Sequence, residues 1–441
     1  MYPKPILASA VALALSAPLS VTTAQMRGGM SFPGARPPLP NERQIMIVVD
    51  TGQAACYDSD GAEITCPAEG EDFHGQDAQN ANNAASYRDN RDGTVTDNLT
   101  RLMWQQTPPA EKVEWSAAQD YCESLSLAEH DDWRTPNLKE LFSISDFTAG
   151  WPYIDTRFFD LNETPELKQL QYWSNNFYEV GATHGGADSA FGVNHGTGHS
   201  KAYPVGGDDG SGEIPIDGGV EAPTDGVVGP PPGASLTAKY VRCVRGNGYG
   251  DNAFVDNGDG TVTDRNNGLM WSQDDSDAGV DWRDALAYAA EQNAARYLGH
   301  SDWRLPNVKE LQSIVDYSGS YPAIDTDYFN ITDVDSYFWS STSSYFSPAE
   351  PGYYYGWYVA FGYAVGGDGE DLHGAGAVRF DTKVAGGPAG EDPERIYNYV
   401  RLVRDAVPPS KARRPMPGTS PAPVGVNRPP VSSVGPAAPR R

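Results

Sequence analysis

The chain has 441 residues, with 10 Trp, 24 Tyr and a formal net charge of −27. That length and apolar content suit two or three packed domains rather than a disordered chain. The acidic balance argues against nucleic acid or anionic lipid as a partner of the main body.

Residues 1–24 read as a secretory signal. Lys4 supplies the positive start, Ile6 to Leu19 the short apolar stretch, and Thr22-Thr23-Ala24 the small residues before cleavage. This stretch is too short to cross a bilayer, and no run of about 18 apolar residues follows. The expectation is an exported protein, periplasmic, cell-surface or secreted, with paired cysteines and no transmembrane segment. Residues 25–44 are Pro- and Gly-rich and read as a linker. Residues 45–85 hold an apolar run, Ile45 to Val49, then Cys56 and Cys66 around a turn-rich stretch, a disulfide hairpin segment.

An internal repeat follows. Tyr87 to Trp104 (YRDNRDGTVTDNLTRLMW) matches Phe254 to Trp271 (FVDNGDGTVTDRNNGLMW), and Asp132 to Leu141 (DWRTPNLKEL) matches Asp302 to Leu311 (DWRLPNVKEL). PYIDT at 152–156 meets PAIDT at 322–326, Tyr172-Trp173-Ser174 meets Phe338-Trp339-Ser340, and the copies close on YVRCVR (240–245) and YVRLVR (399–404). Eight tryptophans pair as 104/271, 115/282, 133/303 and 173/339, which marks them as framework. A unit of about 155 residues can bury its own core, so the expected organisation is two domains, 86–246 and 251–405, rather than a solenoid. Residues 406–441 form a basic, Pro-rich tail with too little apolar surface to fold.

Each copy predicts the same elements. Asn-Gly-Asp-Gly signals a hairpin turn before the strand Thr261-Val262-Thr263. A helix starts at Trp282 behind the N-cap Asp281, with Trp282, Ala285, Leu286 and Ala289 at helical spacing. Asn307 with Glu310, and Asn137 with Glu140, form capping boxes for a second helix. A Trp-Ser strand, a Gly-rich stretch and a Val-Arg strand complete the unit, an α+β arrangement.

Four cysteines allow three pairings. Cys122 and Cys243 are replaced by Ala289 and Leu402 in the second copy, both lost together, as a bonded pair would be. This pairs Cys122 with Cys243 and leaves Cys56 with Cys66. Asp89, Asp92 and Asp97, with Asp256, Asp259 and Asp264, offer oxygens that suit Ca²⁺, although Asp and Asn also stabilise tight turns through their own backbone. Tyr353, Tyr354, Tyr355, Trp357 and Tyr358 form an aromatic stretch with two alternatives, an exposed ligand platform or a buried strand. His195 and His199 frame HGTGH without the further ligands a zinc site needs. Arg134 and Arg304, beside Asp132 and Asp302, are expected in internal ion pairs. Arg242, Arg245, Arg401 and Arg404 are expected to share one face of the last strand. Nucleophile-elbow, Walker, zincin and dinucleotide motifs do not occur.

The recurring DNGDGTVTD…LMW, DWR-x-PN-x-KEL and YVR-[CL]-VR motifs resemble the domain family at the C-terminus of the Legionella collagen-like adhesin, over about 87–245 and 254–404. TGQ…CYD…CP at 51–67 is similar to a leader that precedes such domains. The resemblance implies two tandem C-type-lectin-like domains with short helices, small antiparallel sheets and long loops, and a surface module used in attachment. The adhesin's domain recognises sulfated glycosaminoglycans through a basic surface, which this acidic chain does not share. The expectation is an exported binding module that takes an extracellular or envelope glycan or protein, with no cofactor beyond possible Ca²⁺. Its ligand-bearing loops would be 174–236 and 340–392. The alternatives are a formylglycine-generating-type oxidoreductase or its inactive relative, and a structural envelope component held by the basic tail.

Overall fold

The computed structural model describes residues 47–184, 186–205, 237–345, 352–367, 369–387 and 393–406. The segments expected to be the signal, the linker and the tail beyond Ala406 lie outside them. A leader hairpin comes first, β1 (Cys56–Tyr57) and β2 (Glu63–Ile64). The first copy contains β3 (Tyr87–Asp89), β4 (Thr94–Asp97), β5 (Met103–Gln105), α1 (Trp115–Glu123), α2 (Leu138–Ser143), β6 (Gln171–Phe177), β7 (Ser189–Asn194), β8 (Ser200–Pro204) and β9 (Val244–Arg245). The second repeats the order as β10 (Phe254–Asp256), β11 (Thr261–Asp264), β12 (Leu269–Ser272), α3 (Trp282–Ala295), α4 (Val308–Ser313), β13 (Tyr337–Ser344), β14 (Tyr355–Ala360), β15 (Val378–Thr382) and β16 (Val403–Asp405). The fold is α+β, with few helices and antiparallel sheets.

Each copy builds a four-stranded sheet, β3-β4-β5-β9 and β10-β11-β12-β16. The hairpins turn where the sequence allows positive φ, at Gly258 (74°) and Gly260 (87°) and, in the first copy, at Arg91 (62°) and Gly93 (87°). The remaining strands form one sheet across both copies, in the order β13-β14-β15-β8-β7-β6. Its centre is the antiparallel contact of β15 with β8, where Val378 meets Ser200. Equivalent strands therefore meet edge to edge, which removes two strand edges from solvent.

The helices repeat that symmetry. α2 packs on α4, and the Lys139 Nζ donates to the carbonyl of Ser313 (2.7 Å) while Lys309 Nζ donates to the carbonyl of Ser143 (2.9 Å). Each copy's KEL lysine thus satisfies a carbonyl at the end of the other copy's helix, where the backbone lacks an intrahelical partner and the dipole favours a cation. Rings cross in the same reciprocal way. Phe147 meets Trp357 at 5.4 Å, and Tyr317 meets Phe191 at 4.9 Å. The largest core joins residues of both copies, including Trp104, Leu138, Phe147, Trp271, Leu311 and Trp357.

Each copy also keeps a smaller core of its own. In the first copy the Cys122–Cys243 bridge packs with Ala118, Trp133 and Trp173. In the second, Ala289 and Leu402 fill the equivalent place beside Trp282, Trp303 and Trp339. The leader, closed by Cys56–Cys66, docks on the second copy. Gln53 pairs its amide with the backbone of Ser343 (2.8 and 2.9 Å), and buried Asp77 accepts from Thr51 (2.7 Å) and Thr342 (2.6 Å). Phe73 packs over Trp282 at 6.4 Å. In the first copy the chain covers its own tryptophan, with Phe177 on Trp115 at 5.4 Å.

Candidate functional site

The signature residues hold the frame. Arg134 makes a bidentate pair with Glu140 (2.7 and 2.6 Å), and Glu140 also accepts from the backbone of Asn137, whose side chain caps the Glu140 N–H (2.7 Å). Arg304, Glu310 and Asn307 reproduce this, with Arg304 Nη2 at 2.7 Å from Glu310. Both edge strands carry a register shift, after Trp173 in β6 and after Trp339 in β13. These bulges aim a side chain at the helix start. Asn176 accepts from the Leu138 N–H (2.7 Å), and Thr342 accepts from Val308 (3.0 Å). The capping boxes therefore form as expected, and the N–H groups of Asn137, Leu138 and Glu140, and of Asn307, Val308 and Glu310, are paired.

The internal ion pairs expected of Arg134 and Arg304 form, while the shared face expected of the strand arginines needs correction. Arg134 and Arg304 pair with the capping glutamates, whereas Asp132 pairs with Arg245 and Asp302 with Arg404, each at 2.6 Å. The four strand arginines do not share a face, because positions three apart point to opposite sides of a strand. Arg242 and Arg401 are fully buried and donate to carbonyls, Gln105 (2.9 Å) for the former and Ser272 (3.0 Å) for the latter.

The paired tryptophans are framework too. Trp115 and Trp282 donate to Ser174 and Ser340, Trp173 and Trp339 to Val113 and Val280, and Trp133 and Trp303 to Leu127 and Tyr297. Trp104 and Trp271 are wholly buried.

The aromatic stretch is not an exposed platform. Tyr355, Trp357 and Tyr358 are 2%, 0% and 1% exposed in β14, where Trp357 packs against Phe147, Tyr153 and Phe380. Every residue of β14 is buried, because the strand has sheet neighbours on both edges and the other copy below it. Tyr353 and Tyr354 are half-buried, and Tyr353 stacks on leader Tyr57 at 3.8 Å. The segments 174–236 and 340–392 likewise are not free loops over their described parts. They supply β6, β7, β8, β13, β14 and β15, whose glycines admit close backbone approach. A Cβ at Gly192, for example, would lie 2.5 Å from the Tyr172 carbonyl oxygen.

The Asp-rich turns bind their own backbone. Asp89 accepts from Arg91, Asp92 from Thr94, and Asp97 from Leu99. In the second copy Asp256 accepts from Gly258, Asp259 from Thr261, and Asp264 from Ala253 and Asn266. Among the described residues no group of three or more His, Cys, Asp or Glu side chains is placed to hold a metal ion. His199 bridges Thr197 (2.8 Å) and Tyr203 (3.1 Å). His195 is fully buried against the Tyr172 ring, and burial pushes its imidazole down to about 3. Its carbonyl accepts from Tyr153 (2.6 Å) as that of Phe361 accepts from Ala323 (2.7 Å), so it fills an aromatic position of the frame. Cys122, Cys243, Cys56 and Cys66 are all bridged in the expected pairs.

One surface feature lay outside these expectations. Tyr321 and Tyr363 are 41% and 37% exposed, and their rings stack against each other at 4.5 Å, tilted by 32°. Tyr321 directly precedes Pro322 as Trp151 precedes Pro152, so the PAIDT and PYIDT matches carried a signal one residue upstream.

A family model, the Lcl C-terminal domain, matches residues 93–210 and 260–404, more than half of the chain. No curated protein and no solved structure matches it. The two matched segments fall one within each copy of the frame, and the chain belongs to the Lcl C-terminal domain family, with that domain present twice in tandem.

Proposed function

We propose that this protein is an exported attachment module that binds an envelope or extracellular glycan or protein through its outer surface. The observation that carries this reading is the use of the family signature. Arg, Glu, Asn, Lys and Trp of the repeated motifs are engaged inside the frame in both copies, so the signature maintains a scaffold and leaves recognition to exposed side chains. Two disulfides suit an oxidising compartment, and among the described residues no helix is long and apolar enough to cross a membrane.

The test is retention of the chain from residue 25 onward on immobilised glycans and on purified envelope and matrix proteins, with and without a chelator. Retention on at least one surface is expected, unchanged by the chelator, because the turn carboxylates already accept backbone N–H groups. Absence of retention on every surface refutes the reading.

A further inference from the structure

We infer that the cavity between the two copies is a binding site for one fixed water molecule, which accepts from Lys309 and donates to Asn267. The cavity lies where α2 and α4 meet, and its walls include Lys139, Ser143, Tyr249, Asn267, Lys309 and Ser313. Its volume is about 10 Å³ for a water-sized sphere, room for one water molecule and for nothing larger. A buried water needs about two to four polar partners, and these walls supply them.

The two copies differ at this point, and the difference supplies the donor. Lys139 Nζ spends all three of its protons, on Ser313 (2.7 Å), the Asn252 side chain (2.8 Å) and Gly250 (3.1 Å). Lys309 Nζ donates to Ser143 (2.9 Å) and Asp50 (3.0 Å), and its third proton has no acceptor among the described residues. The leader provides the Asp50 carbonyl but no counterpart of the Asn252 amide oxygen. Asn267 is buried with its own mismatch. Its amide nitrogen donates to Asp264 (2.6 Å), whereas its Oδ1 has no protein partner. The Tyr249 hydroxyl accepts from the Val49 N–H (3.2 Å), and no described residue takes up its proton. A buried amide oxygen and a buried ammonium proton are both costly to leave unpaired. A water that accepts from Lys309 and Tyr249 and donates to Asn267 pairs all three groups at once.

Charge and polarity exclude the other occupants. The ammonium groups of Lys139 and Lys309 repel a cation. A halide is larger than a water and would meet the Asn267 oxygen, whose donor side is already fixed on Asp264. A cavity with such walls does not stay dry, unlike one lined by aliphatic side chains. The water therefore ties Lys309 of α4 and Asn267 of the second copy's hairpin to Tyr249 of the segment that joins the copies. Through Tyr249 it also reaches Val49 of the leader.

The experiment is a high-resolution crystal structure of the chain from residue 25 onward, from crystals soaked in bromide. One peak without anomalous signal is expected, at about 2.7–3.2 Å from both Lys309 Nζ and Asn267 Oδ1. An anomalous bromide peak overturns the assignment in favour of an anion. An empty cavity, or a direct bond from Lys309 to Asn267, overturns it outright. In solution, relaxation dispersion of water oxygen counts the long-lived internal waters. Lys309→Met removes the donor and Asn267→Leu the acceptor, and each should lower that count by about one. A count unchanged in both folded variants overturns the roles given to these two residues. If either variant does not fold, the wild-type density decides by itself.

Discussion

Replacing Lys309 by Met tests the reciprocal lysines at the centre of the molecule. Lys309 Nζ donates to Ser143 (2.9 Å) and to Asp50 (3.0 Å), both buried carbonyls. Leaving each without its donor costs about 1–3 kcal/mol. Against this, burial pushes the amine down from 10.5 to about 8, despite the acids Asp146, Asp50, Asp97 and Asp77 around it. A shift of that size means that holding the charged form in the core costs about 3 kcal/mol, a cost methionine avoids. The two effects nearly offset at neutral pH, where K309M should change stability by between about 1 kcal/mol of gain and about 3 kcal/mol of loss. At higher pH they separate. The folded-state value lies below the unfolded one, so between about 8 and 10.5 the unfolded chain still binds a proton that the folded chain has released, and stability rises with pH. The wild type should therefore gain about 2 kcal/mol over K309M between roughly pH 8 and pH 10. Guanidinium unfolding followed by tryptophan fluorescence at both pH values reads this difference, and contributions common to both proteins cancel. A gap between wild type and variant that stays constant or narrows as pH rises refutes the argument.

Asp77 provides the opposite sign. Burial pushes its carboxyl up to about 7 although Thr342 and Thr51 donate to it, so the folded state is favoured at acid pH and loses that advantage as pH rises from about 4 to 7. Relative to Asp77→Asn, the wild type should lose about 4 kcal/mol across that window, and parallel pH profiles would contradict this. Copying the second copy's residues into the first, Cys122→Ala with Cys243→Leu, opens a loop of 121 residues and should cost up to about 5 kcal/mol, less whatever the added leucine packing returns. An unchanged melting temperature would show that the bridge is not a main constraint. Opening the Cys56–Cys66 loop of 10 residues should cost less, about 3 kcal/mol. Gly196→Ala places a Cβ against the Leu167 carbonyl and Gly362→Ala against that of Val334, so each should destabilise by more than about 2 kcal/mol in a thermal melt.

Much of the local structure was legible before any coordinates. Asp281, Asn137 and Asn307 cap the helices they precede, because a short polar side chain ahead of an apolar-periodic run has one favourable use there. The thiol pairing followed from comparing the copies, since Ala289 and Leu402 replace both partners at once and occupy the same core site. Other features were not legible. Whether 353–358 is platform or strand, and whether HGTGH is a ligand loop, depends on what lies across the sheet. A Tyr-Trp cluster has the same composition in either setting.

The sequence by itself determined two copies of one α+β frame, with its caps, its framework tryptophans and its cross-links, because those depend on spacing within a copy. Only the tertiary structure decided that β15 and β8 join the copies into one sheet, and that Lys139 and Lys309 each end the other copy's helix. It also decided that the leader covers the second copy's Trp282. Those contacts lie far apart along the chain, and they are selected by the buried area and backbone pairing gained when whole elements meet, which no local pattern records.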